Sequence, residues 1–281
     1  MSKYQVNQLV FFLQVLIFCL IFWSANYLFG SQNTIKDNNS LLPTFSNTLV
    51  WVSIFFVTFV LSTVNLHYFS NLIHLGSHNL LSKNRKINSI LGWISSLLIL
   101  PFTFIDFKIT HLEHHKHQGD IDLDPDYKIV KTGSVWLLPL RIVVYKDYFF
   151  WKFALQKQKY NWLLEYCIQR FVQIFIIWYI ANWTQKHDSR YISLFILPLI
   201  VVGVSNAMYL YFYPHYTNSF EIFLRKVISN NSSNTSKLAR SFARLFLWGI
   251  DLSRAIHEMH HQRPSGNMFY YPEWWIYKQI R

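Results

Sequence analysis

The chain has 281 residues, 52% hydrophobic, 19% aromatic and 14% charged, with 26 basic against 14 acidic side chains. Soluble domains carry roughly 25% charged residues, so this deficit excludes an ordinary water-soluble domain and points to a bilayer. The two cysteines, Cys19 and Cys167, lie inside apolar runs and exclude a disulfide framework or a cysteine-based metal site; no nucleic-acid partner is expected despite the formal charge of +12.

In chain order, Leu9–Phe29 and Asn47–Leu66 are uncharged runs of 21 and 20 residues, and about 20 apolar residues suffice for a helix to span a membrane. The first run is too long for a signal-peptide core and is followed by polar turn material, not a cleavage site, so it reads as a retained span. Ile90–Ile105 is shorter and interrupted by Pro101. Leu163–Trp183 carries only Glu165 and Arg170, and Tyr191–Tyr213 carries no charge, which brings the expected spans to four. With Lys3 in the cytosol, only Lys36, Lys186 and Arg190 of the 26 basic residues fall outside, the asymmetry expected of a membrane protein. Lys83, Arg85 and Lys86 before Ile90–Ile105, and Lys108 and Lys116 after it, predict that this segment lies in-plane or re-enters without crossing. Asn218–Lys237 reads as a polar loop. Lys237–Ala255 reads as an amphipathic helix, with Leu238, Phe242, Leu245, Phe246, Gly249 and Leu252 near the helical period. The expected fold class is an all-α integral membrane protein, with about four transmembrane helices and an in-plane or re-entrant helix. A cytosolic helical region caps it, and residues 1–281 form one domain.

Twelve histidines are present, and eight of them fall in three clusters: His74 and His78; His111, His114 and His115; His257, His260 and His261. Positions i, i+3 and i+4 of a helix share a face, so each cluster projects its imidazoles in one direction. Neutral imidazole suits iron, zinc and copper. Eight such ligands exceed what one ion takes and match two. The expected topology places all three clusters on the cytosolic side.

His117 reads as a solvent-facing or supporting residue, while His215, after Pro214, is the best further candidate for a supporting role. Asn206 is polar within an apolar span; a site role and a helix–helix hydrogen bond weigh equally. The run Asp120, Asp122, Asp124, Asp126 follows the second cluster. Acidic runs are usually solvated loops, but metal-bound histidines commonly donate their second ring N–H to a carboxylate, which makes Asp120, Asp124 and Asp126 candidates. The ligand spacing of a calcium-binding EF-hand is absent.

Two other classes compete. His257-Glu258-Met-His260-His261 contains the H-E-x-x-H pattern of zinc metalloproteases, a reading that leaves five clustered histidines unexplained. A metal transporter places its ligands near the bilayer midplane, whereas these clusters follow the inner ends of the spans.

The three clusters resemble those of the membrane fatty-acid desaturase/hydroxylase superfamily. Within it, His111 to Asp126, an H-x2-H-H-x-H run leading to Asp124-Pro125-Asp126, resembles the second box of the desaturase-like β-carotene hydroxylases. The stretches Lys128–Trp136, Tyr148–Lys152, Leu163–Tyr166 and Tyr211–His215 are similar to that family as well. The resemblance covers roughly residues 65 to 265. It implies a non-haem di-iron monooxygenase with the eight clustered histidines as ligands, O2 as oxidant, a ferredoxin-type electron donor and the β-ionone ring of a carotenoid as substrate. An acyl-lipid desaturase and a carotenoid ring ketolase are the alternatives within the superfamily. The implied setting is a plasma, thylakoid or plastid membrane, with the active site on its cytosolic or stromal side.

Overall fold

The computed structural model describes residues 2–30, 45–97, 99, 102–131, 134, 137–187, 196–204, 219–229, 239–245 and 247. Among these, no strand occurs. The helices are α1 (Lys3–Gly30), α2 (Phe45–Ser77), α3 (Arg85–Ser96), α4 (Phe104–Lys116), α5 (Pro125–Lys131), α6 (Leu138–Gln156), α7 (Tyr160–His187) and α8 (Ser219–Ser229); residues 196–204 and 239–245 are also helical. The all-α membrane class expected from the sequence is what forms.

Among the described residues, three helices are long and apolar enough to cross a bilayer, over Lys3–Ile21, Val52–Ser77 and Tyr160–Asn182. Their outward faces carry large apolar side chains, among them Phe12, Phe56 and Phe171, as lipid contact requires. Of the fourth expected span, Tyr191–Tyr213, only 196–204 lies within the described residues. The run Ile90–Ile105 is not one helix: α3 ends at Ser96 and α4 begins at Phe104. Neither piece approaches the roughly 20 residues a crossing needs, consistent with the in-plane or re-entrant expectation.

One expectation is corrected. Asn218–Lys237 is not a loop throughout, because Ser219–Ser229 forms α8. The loop composition resides in 230–236, while Leu224, Val227 and Ile228 recur at helical spacing and pack on Ala243 and Leu247. On the helical residues 239–245, Phe242 and Leu245 are 55% and 61% exposed, while Ala243 is buried against α8.

The chain divides into two compact units, Met1–Thr110 with Lys146–Ser205, and His111–Tyr145 with Asn206–Arg281. In the first, two asparagines of the spanning helices donate to partners outside their own helix. Asn65 on α2 donates from Nδ2 to the Gln14 carbonyl at 3.0 Å and to its side-chain Oε1 at 2.6 Å. Asn7 on α1 donates to the Leu80 carbonyl at 2.7 Å. Helices α2 and α3 meet through Gly76 and Gly92, where a Cβ on Gly76 would lie 3.3 Å from the Gly92 Cα. The ring of Phe104 covers that contact; Ile105, Phe150, Ala154, Leu163 and Tyr166 form a core cluster. In the second unit, Arg141 holds the 129–134 segment through its Nη atoms, bonding the carbonyls of Ile129 and Ser134 at 2.8 Å each.

Candidate metal centre

The first histidine pair sits at the end of α2, and the sequence after it stops the helix sharply. Asn79 adopts the left-handed conformation at φ 57°, and the N–H groups of Asn79 and Leu80 return to the carbonyls of Gly76 and Leu75, closing the last turn as helix ends commonly do. Asn88, fully buried on α3, locks this turn from outside. Its Nδ2 donates to the Gly76 carbonyl at 2.8 Å, and its Oδ1 accepts from the Leu81 N–H at 3.0 Å. Thus His74 and His78, four residues apart, stand on a fixed terminus with ring centroids 5.3 Å apart, and His74 packs edge-on to Phe107.

The second group is carried by α4, whose start is unusually well satisfied. Helices leave their first N–H groups without intrahelical partners. Here Thr103 Oγ1 accepts from Asp106 N–H at 3.3 Å, and Gln169 Oε1 accepts from Phe104 N–H at 2.8 Å and Ile105 N–H at 3.3 Å. Asp106 is wholly buried beside Arg170; burial, the largest influence, pushes its carboxyl up to about 8 against the pull of that guanidinium. The closer contact of Arg170, at 2.8 Å, is to Asp147.

Further along α4, His111 and His115 are one turn apart, with perpendicular rings and Nε2 atoms 3.0 Å from each other. One ligand nitrogen from each of His74, His78, His111 and His115 lies within 4.8 Å of every other. Two nitrogens bound at right angles to one ion, each at about 2.1 Å, stand about 3.0 Å apart, so the His111–His115 separation is that of neighbouring ligands. Four converging neutral imidazoles are a donor set for a first-row transition metal, and the residues present fit such an ion.

His114 points elsewhere. It is buried, and its Nδ1 lies 2.8 Å from Asp124 Oδ1 and 3.8 Å from Asp126 Oδ2. A carboxylate only accepts, so the hydrogen bond places the proton on Nδ1 and the lone pair on Nε2, the atom a metal would take. Asp124 also begins α5. It accepts from the N–H groups of Asp126 at 2.9 Å and Tyr127 at 3.3 Å through Oδ1, and from Gly119 at 2.9 Å through Oδ2. With Pro125 at the first helical position, this is a favourable N-terminus. Burial opposes the charge on Asp124, but the hydrogen bonds from His114 and the backbone outweigh it, and the carboxyl is held below its ordinary value.

Asp120 has a different place. Its Oδ1 accepts from the N–H groups of Asp122 and Leu123, which lowers its pKa and shapes an exposed turn. His117 contacts Glu113 at 3.5 Å. The remaining sequence candidates, His257, His260, His261, Asn206 and His215, lie outside the described residues. Sequence reasoning missed Asn88, Gln169 and Gln173. The two glutamines do carry a signal, being uncharged polar residues four apart in a membrane span.

A family model described as fatty acid desaturase matches residues 49–280, a range that includes all eight clustered histidines. No curated protein and no solved structure matches the chain.

Proposed function

The chain belongs to the fatty acid desaturase family, and on that premise we propose that this membrane-bound oxidoreductase is a di-iron oxygenase that hydroxylates the β-ionone ring of a carotenoid. The observation that carries the metal chemistry is the convergence of His74, His78, His111 and His115. In this reading they hold one iron, while His114 joins His257, His260 and His261 around a second. Iron bound there supplies the activation of O2, chemistry that side chains alone do not perform.

The chain's own residues hold and shield. Asp124 keeps the proton of His114 on Nδ1, which would leave the Nε2 lone pair to serve as the ligand. Asn88 and the Gly76–Gly92 contact fix the end of α2. The apolar spans give a hydrophobic substrate lateral access from the lipid. The electron donor is an acidic ferredoxin-type protein docking on the basic cytosolic or stromal face, and residues 1–281 act as one catalytic domain.

Support for the carotenoid comes from the run His111–Asp126 and from Pro214-His215. A second reading, acyl-lipid desaturation, is favoured by the description of the matching family and by two departures from the carotenoid pattern: Tyr216-Thr217-Asn218 after His215, and the extended run from Pro264 to Trp274-Trp275. Expression in a β-carotene-producing host, with pigment and acyl-chain analysis, separates them. A hydroxylated ring supports the proposal and a ketolated ring redirects it to the ketolases. Unchanged pigment with altered acyl unsaturation overturns it for the second reading.

A further inference from the structure

We propose that Gln169 and Gln173, on the membrane-spanning helix α7, are positioning residues for the histidine-bearing helix α4; this rests on the metal-centre reading above. Polar side chains inside a span are costly unless they meet partners, and they tend to mark function. These two are buried to 2% and 0% exposure, stand one turn apart on one face, and are fully engaged with the segment that leads into α4.

Gln173 Nε2 donates to the carbonyls of Ser96 and Phe102, both at 2.6 Å. Ser96 is the last residue of α3 and Phe102 stands just before α4, so one amide ties together the two sides of the connection. Gln169 Oε1 takes the first two N–H groups of α4, and its own Nε2 is held by Glu165 Oε1 at 3.0 Å. Beside them, Arg170 bonds Asp106 in the first turn of α4 at 3.2 Å and Asp147 of α6 at 2.8 Å. The partners of the two glutamines around the α3–α4 connection lie 64 to 77 residues away in sequence, and all of these contacts fall within the first compact unit.

The consequence for the site follows from helix geometry. His111 is two turns beyond Phe104, roughly 10 Å along a rigid rod. A shift or rotation at the start of α4 is therefore delivered to His111 and His115, whose nitrogens must meet one ion together with those of His74 and His78. Removing the Gln169 amide leaves two buried N–H groups unserved, and α4 must reseat to satisfy them. No imidazole is lost in this change; only the place where two of them stand is altered.

The test uses the full-length chain in detergent or nanodiscs, with cobalt(II) as the metal probe. Its readouts are binding affinity and visible absorption, with helical circular dichroism recorded alongside. Gln169→Leu is expected to keep its helical content but to bind cobalt on the order of tenfold more weakly, the scale of losing a supporting group around a metal, with a changed spectrum. The exchange Glu165→Gln with Gln169→Glu, which keeps an acceptor oxygen for the two N–H groups of α4 and a donor for the contact between residues 165 and 169, is expected to restore both. Gln169→Asn, one methylene too short, is expected to behave as Gln169→Leu and carries the test if the leucine variant does not accumulate. Unaltered cobalt affinity and spectrum in the leucine and asparagine variants would overturn the proposal, as would an exchanged pair no better than leucine. Failure of the unaltered chain to bind cobalt would instead overturn the metal-centre reading and this proposal with it.

Discussion

His114 Nδ1 and Asp124 Oδ1 lie 2.8 Å apart, both side chains out of contact with solvent. The same carboxylate caps α5 through the N–H groups of Asp126 and Tyr127. Orientation of a ligand and initiation of a helix are therefore joined in one residue. Asp124→Ala is expected to weaken metal binding about 10- to 100-fold and to cost about 1 kcal/mol of stability for the lost cap. Asp120→Ala, in the exposed turn, should leave metal affinity unchanged. Metal titration and thermal unfolding of the two variants check this, and equal affinities would refute the orienting role of Asp124.

Asn88 serves the end of α2 with both ends of its amide. Asn88→Ala strands the Leu81 N–H away from water and leaves the Gly76 carbonyl with the Asn79 N–H as its remaining donor. The expected destabilisation is about 1–3 kcal/mol for the stranded N–H, together with weaker metal binding, because His74 and His78 flank Gly76. Asn88→Asp, which keeps the acceptor for Leu81 but loses the donor to Gly76, should fall between. Denaturation midpoints across the three proteins measure the ordering.

Two glycines give opposite reasons for the same substitution. A Cβ on Gly92 would lie 2.3 Å from the nearest atom of the buried Phe104 ring, whereas one on Gly119 meets nothing within 4 Å but sits at φ +79°. Gly92→Ala is expected to cost about 1–3 kcal/mol through overpacking and to be partly rescued by Phe104→Leu. Gly119→Ala is expected to cost about 1–2 kcal/mol through backbone strain alone, with no rescue from that second change. A double-mutant comparison of melting temperatures distinguishes the two mechanisms.

Much of this arrangement is legible in the residues, for identifiable reasons. Uncharged runs of about 20 residues can hardly be anything but spans, and α1, α2 and α7 contain three of the expected four. The spacing His74-x3-His78 and His111-x3-His115 is local, so helical geometry alone sets which imidazoles share a face. The expectation that Ile90–Ile105 is not a single span comes from its short length and from Pro101 in its sequence, and α3 and α4 are separate helices. What sequence could not disclose was pairing at a distance. Among Asp120, Asp124 and Asp126 only the fold of the turn, with Gly119 at positive φ, decides that Asp124 meets His114. Gln169 and Gln173 read as stray polar residues until their partners, some 65 to 77 residues away, are in place.

The most direct test of the central claim is the metal content of the purified full-length chain, measured beside a variant in which His111 and His115 are both replaced by alanine. The account predicts two iron ions per chain, falling to about one in the variant because His114 and the third cluster keep the second ion. One zinc per chain, unchanged by the double replacement, would contradict it.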